Sequence, residues 1–120
     1  MPKKILLVDD DISLCHELAE ILTGEGYYVD TITDSKKAAL SVRQKAYDLY
    51  ILDYKMEGLT GIGLLKIIKE KDSRRPVILI TGRPFIDKLL QEEALAQQIS
   101  LVISKPFDIE DLLQKIKNLF

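Results

Sequence analysis

Residues 5–11 read ILLVDDD. Four apolar residues, Ile5 to Val8, run straight into three consecutive carboxylates, Asp9, Asp10 and Asp11. An apolar run of strand length with no polar alternation suits a strand buried on both faces, as in a parallel sheet covered by helices. Three adjacent acids repel one another and need a cation, water or a proton to be tolerable. The stretch therefore predicts a buried strand that delivers negative charge to an edge of the fold.

The same alternation continues along the chain. Ile12, Cys15, Leu18, Ala19 and Leu22 follow at helical spacing, and Gly24 and Gly26 end that helix. Tyr28–Ile32 reads as a second strand. Ser35 is expected to cap a helix carrying Ala38, Ala39 and Val42. Leu49–Leu52 is the third strand, and Gly61, Leu64, Leu65 and Ile68 mark the third helix. Val77–Ile80 is the fourth strand, announced by Pro76. Pro84 suits the first turn of a fourth helix bearing Ile86, Leu89, Leu90 and Ala94. Leu101–Ile103 is the fifth strand, and Asp108 caps a last helix with Ile109, Leu112, Leu113 and Ile116 on one face. Five βα units in a row imply an α/β fold with a parallel sheet. Right-handed crossovers make a doubly wound three-layer sandwich the leading arrangement.

Length and composition agree. The chain has 120 residues, 47% hydrophobic and 30% charged, which suits one globular domain over residues 1–120. A net charge of −2 with mixed signs gives no basic face for nucleic acid. The apolar runs are too short to span a bilayer. The opening MPKKILLV has no signal-peptide core or cleavage site. A single cysteine, Cys15, excludes an intramolecular disulfide, and a reducing, cytoplasmic setting is expected.

Ligands of such sheets bind beyond the carboxyl ends of the strands. Asp9 and Asp10 follow the first strand, Asp53 the third, Thr81 the fourth, and Ser104 and Lys105 the fifth. Parallel strands bring those exits together. Three carboxylates at one edge are hard oxygen ligands that suit Mg²⁺, which keeps waters for an incoming phosphate. The lone acid at the exit of the central strand, Asp53, is the candidate nucleophile for an aspartyl phosphate. Lys105 supplies a mobile positive charge for phosphate oxygens, and the Thr81 hydroxyl a hydrogen bond. Phosphoryl transfer mainly needs positioning and charge neutralisation, which these five residues provide.

Taken together, VDDD (8–11), LDYKMEGLTG (52–61), ITG (80–82) and SKPF (104–107) resemble the receiver domain of bacterial two-component response regulators. The match spans essentially the whole chain. The resemblance implies a flavodoxin-like (βα)5 fold with strand order 2-1-3-4-5. It implies that Asp53 accepts a phosphoryl group from a histidine kinase or phosphotransfer protein, switching the conformation to control an output domain or target protein. Asp9, Asp10 and Asp53, with the backbone carbonyl of Lys55, would hold Mg²⁺, and Thr81 and Lys105 would bind the phosphoryl group. It also implies a cis Lys105–Pro106 peptide, room beside the site at Gly82, and positions for Lys55 and Arg83 that resemble tuners of phosphoryl lifetime. By analogy it allows a homodimer through helix four, strand five and helix five. Such a domain is a switch and not a turnover enzyme. The chain departs from the family pattern at Val102, where an aromatic is usual, at Glu57, where proline is common, and in a slightly long segment between Thr81 and Lys105.

Three other readings compete. An aspartyl hydrolase would want a second acid at position 55, which is Lys55, and a cap domain for which there is no spare length. A pseudo-receiver would fold without being phosphorylated; Val102 favours it and the complete acidic set opposes it. Gly58, Gly61 and Gly63 match neither a dinucleotide fingerprint nor a P-loop. Plainer roles fit the remaining residues. Asp11 suits a helix N-terminus, Ser104 a structural position, His16 an exposed helix position, and Cys15 the core. Tyr27, Tyr28, Tyr47 and Tyr50 read as packing, Leu112, Leu113 and Ile116 as core, and Leu119 and Phe120 as a partner surface.

Overall fold

The computed structural model describes residues 2–55, 60–82 and 96–120. Its elements are β1 (Lys4–Val8), α1 (Ile12–Gly24), β2 (Tyr28–Ile32), α2 (Ser35–Gln44), β3 (Leu49–Asp53), α3 (Gly61–Lys71), β4 (Val77–Thr81), a 3-10 turn (Ala96–Gln98), β5 (Leu101–Ser104) and α4 (Ile109–Leu119). All strand pairs are parallel, in the order β2-β1-β3-β4-β5. The expected helix over Pro84, Ile86, Leu89, Leu90 and Ala94, together with Arg83 and Glu57, lies outside the described residues.

Alternation along the strands divides the core into two layers. Leu6, Val8, Tyr50, Leu52, Val77 and Leu79 point to one side and pack with Ala38, Ala39 and Val42 of α2 and Leu64, Leu65 and Ile68 of α3. Ile5, Leu7, Leu49, Ile51, Ile78, Ile80 and Ile103 point to the other, against Cys15, Leu18 and Leu22 of α1 and Leu112 and Ile116 of α4. β1, β3 and β4 are buried on both sides, which is why their sequences carry no polar alternation. The edge strand β2 is only partly covered.

Helix ends show how the chain turns at the sheet's carboxyl edge. Asp11 caps α1, its carboxylate accepting from Leu14 N–H, and Asp108 caps α4, accepting from Glu110 N–H. Gly26 completes the exit from α1 with φ +99°, a conformation other residues rarely adopt. Three expectations are corrected. The cap of α2 is Asp34, whose carboxylate accepts from Lys36 N–H, while Ser35 is buried in the first turn. Ile12 does not join the apolar stripe of α1: it is 60% exposed at the rim, beyond the last buried residue of β1. Tyr28 is not packed: it is 52% exposed at the start of the edge strand. Tyr27, Tyr47 and Tyr50 do pack, Tyr47 and Tyr50 edge to face and Tyr27 against Phe120.

Candidate functional site

The strand order places β1 beside β3 at the point where the connections reverse direction across the sheet, and the crevice there is the expected ligand site of a doubly wound fold. Val8 is in register with Leu52, so Asp9 leaves β1 level with Asp53, the last residue of β3. Asp53 is in register with Ile80, and Thr81 with Ser104, so Thr81 and Lys105 emerge alongside. The Lys105 N–H donates to the Thr81 carbonyl at 2.8 Å, fixing the start of the β5–α4 turn to the end of β4. The Lys105–Pro106 peptide is cis, as the resemblance implies.

Asp9 and Asp53 are buried while Asp10 is exposed, and a carboxylate oxygen from each of the three lies within 4.8 Å of the others. The Lys105 Nζ stands 3.1 Å from Asp9 Oδ2 and 3.5 Å from Asp53 Oδ1, one ammonium between two buried carboxylates. Asp9 is held from several sides. Its Oδ1 accepts from Asp11 N–H at 2.9 Å, its own N–H donates to the Ile32 carbonyl, and its carbonyl accepts from the Cys15 thiol at 3.2 Å. Thr81 is buried at the end of β4, and Lys55 is exposed just beyond Tyr54.

Charge and burial compete at this edge. Burial and then the nearby Asp9 charge push the Asp53 carboxyl up to about 6, with Asp10 adding to the rise and Lys105 opposing it. Burial works against the Lys105 ammonium, but the hydrogen bond to Asp9 and the charges of Asp9 and Asp53 hold its pKa above the ordinary value. Burial pushes the Cys15 thiol up to about 11, helped by the Asp9 charge, so it packs as a small apolar group with one weak donor. His16 is exposed.

The set Asp9, Asp10, Asp53, Thr81 and Lys105 therefore converges on one edge, while Ser104 is exposed beside it. A Cβ built at Gly82 meets no described atom within 4 Å. One residue important to this edge is marked in the sequence as a helix start and as one of three glycines matching no phosphate-binding fingerprint: Gly61, whose N–H donates to the Tyr54 carbonyl at 3.1 Å. A glycine at a helix's first turn, where it lowers helix stability relative to alanine, is the available signal of close backbone approach.

A doubly wound sheet with three acids, a hydroxyl and a lysine at its carboxyl edge defines a domain built to handle a phosphoryl group. The family model described as "Response regulator receiver domain" matches residues 5–117, and the chain belongs to that family. Such domains take a phosphoryl group onto an aspartate in two-component signalling. Among its relatives is the DNA-binding response regulator MtrA of Mycolicibacterium paratuberculosis, 33% identical over 118 residues, which cover 98% of this chain and 51% of the relative. The chain thus spans about half the length of that curated relative. Among solved structures, the response regulator protein TrrA of Thermotoga maritima, in complex with Mg(2+)-BeF, is 30% identical with a TM-score of 0.84, covering 98% of this chain and 99% of that one. The CheY-like response regulator receiver domain protein from Methanospirillum hungatei JF-1 is 26% identical with a TM-score of 0.89, covering 98% of this chain and 93% of that one.

Proposed function

We propose that residues 1–120 form one receiver domain in which Asp53 accepts the phosphoryl group. A carboxylate oxygen of Asp53 attacks phosphorus and forms the new P–O bond. The P–N bond to a phosphohistidine of the kinase or phosphotransfer protein breaks, and its electron pair stays on the histidine nitrogen. Lys105 pairs with the negative oxygens of the arriving group, and the Thr81 hydroxyl donates a hydrogen bond to one of them. The observation that carries this reading is the position of Lys105 between Asp9 and Asp53. It already neutralises charge where a phosphoryl group would add more.

The donor set fits Mg²⁺. Three hard carboxylates face one ammonium, leaving an excess of two negative charges when all are ionised. Asp9, Asp10, Asp53 and the Lys55 carbonyl would hold the ion. When bound, Mg²⁺ supplies positive charge against phosphoryl oxygens. The domain assists its own phosphorylation and dephosphorylation and turns over no external substrate. It works with a sensor histidine kinase or phosphotransfer protein and signals to an output domain or target protein, in a cytoplasmic setting that suits the free Cys15. Among the described residues no helix is long and apolar enough to cross a membrane.

Intact-mass measurement after incubation with Mg²⁺ and acetyl phosphate tests the assignment. One phosphate adduct is expected on the native protein, lost in Asp53→Asn and without Mg²⁺. An adduct of equal yield on Asp53→Asn assigns the acceptor elsewhere, and no adduct on a folded native protein that binds Mg²⁺ favours a non-phosphorylated interaction module or a strict requirement for the kinase partner. Sedimentation with and without the adduct tests the homodimer, and a monomer in both conditions counts against it.

A further inference from the structure

Gly61 opens α3 and lies directly against the exit of β3. A Cβ placed there would stand 2.6 Å from the Asp53 carbonyl oxygen, 3.0 Å from Tyr54 Cα and 3.1 Å from Leu79 Cδ1. Two of these three atoms belong to backbone that has little freedom to yield. Asp53 is in register with Ile80 inside the sheet, and Tyr54 N–H donates to the Ile80 carbonyl at 2.8 Å. Gly61 N–H in turn donates to the Tyr54 carbonyl at 3.1 Å. The first turn of α3 is thus pressed against the segment it is hydrogen-bonded to, and that segment begins with Asp53 and runs on to Lys55.

We infer that Gly61 is a positioning residue for the phosphoacceptor: its missing side chain sets how closely α3 docks on residues 53–55, and so where the Asp53 carboxylate and the Lys55 carbonyl stand relative to Asp9 and Asp10. The inference rests on the reading of Asp53 as acceptor and adds a residue that touches neither phosphate nor metal. With any side chain at position 61, α3 must move outward or the end of β3 must shift. A misplacement of about 1 Å caused by a change away from the chemistry can lower a rate about 100-fold.

The test compares native protein, Gly61→Ala, Gly61→Ala/Leu79→Val and Thr60→Ala. Three quantities are read on each: Mg²⁺ affinity by calorimetry, phosphorylation rate with acetyl phosphate by intact mass, and thermal midpoint. Thr60 caps α3, its hydroxyl accepting from Gly63 N–H, so Thr60→Ala loosens the same helix end without crowding Asp53. Gly61→Ala is expected to bind Mg²⁺ about tenfold more weakly and to be phosphorylated about 10- to 100-fold more slowly. Thr60→Ala is expected to lower the midpoint while keeping both affinity and rate. The double variant should not recover, because the backbone contacts remain when the Leu79 methyl is gone. Native affinity and rate in Gly61→Ala, their recovery in the double variant, or an equal loss in Thr60→Ala would each overturn the inference.

If Gly61→Ala does not fold, the native protein decides. Slower hydrogen exchange of the Gly61 amide on adding Mg²⁺ supports the coupling, and unchanged exchange overturns it. A native protein that takes no phosphate from acetyl phosphate or from a phosphohistidine donor overturns the acceptor reading itself, and that outcome is visible before any variant is made.

Discussion

At the Asp53 carboxyl, burial and the neighbouring Asp9 and Asp10 charges outweigh the pull of Lys105, and the folded pKa of about 6 lies above the ordinary 3.8. The metal-free native state therefore holds this proton more tightly than the unfolded chain does. Between 3.8 and about 6 the folded protein binds more protons, so this group's contribution to stability falls as pH rises through that window. In denaturant titrations without metal, Asp53→Asn is expected to exceed the native protein by on the order of 2 kcal/mol near pH 7.5. The gap should close as pH falls toward 3.8. A gap between Asp53→Asn and the native protein that does not open across the same window contradicts a carboxyl raised by burial and like charge. Carboxyl NMR adds a direct reading: the Asp53 signal titrates near 6 without metal and well below it with Mg²⁺, because a cation favours the charged form. Repulsion among the acids is legible in ILLVDDD, but the burial that contributes most to the Asp53 shift is not. The sequence put the acids at strand exits, but burial of Asp9 and exposure of Asp10 depend on how the crevice closes around them.

Among the elements, the buried strands were easiest to read, because burial on both faces removes polar residues. Ends were harder. Asp34 and Ser35 are both good caps and stand side by side, so residue type does not choose between them. The backbone does: Asp34 is extended at φ −118°, ψ 124°, and its side chain turns back on Lys36 N–H. Asp34→Ala is accordingly expected to cost about 1 kcal/mol of stability. Its phosphorylation rate should stay native, since the Asp34 carboxylate serves the Lys36 N–H of α2; denaturation beside the mass assay checks both halves. Ile12 and Tyr28 misled for one shared reason. Periodicity reports which side of an element an apolar residue occupies, but not whether the sheet extends far enough to cover it. Gly61 was legible as a residue and not as a role, because its neighbours, Asp53 and Leu79, are distant in sequence.

At the scale of the molecule, the sheet separates two apolar layers whose buried members, among the described residues, do not overlap. Leu64 belongs to the layer under α2 and α3, and Leu112 to the layer under α1 and α4. Leu64→Ala and Leu112→Ala are each expected to cost about 2–5 kcal/mol. Their effects should add to within about 0.5 kcal/mol, because a rigid sheet stands between them. Urea unfolding of the singles and the double measures this, and a large interaction energy would show that the layers communicate through the strands. Layer membership itself was hidden in the sequence. When every residue of a strand is apolar, alternation cannot say which neighbours face which helix, and handedness of the crossovers supplies the answer.

The ion pair between Lys105 and Asp9 joins residues 96 positions apart. Its two ends leave strands β1 and β5, which do not touch, and β3 and β4 lie between them. That pair consequently forms only when β5 has joined the sheet across β3 and β4. A sheet opened at its last strand keeps the acids at its edge and loses the lysine that balances them. Charge balance at this edge therefore arrives with the last strand and not before it.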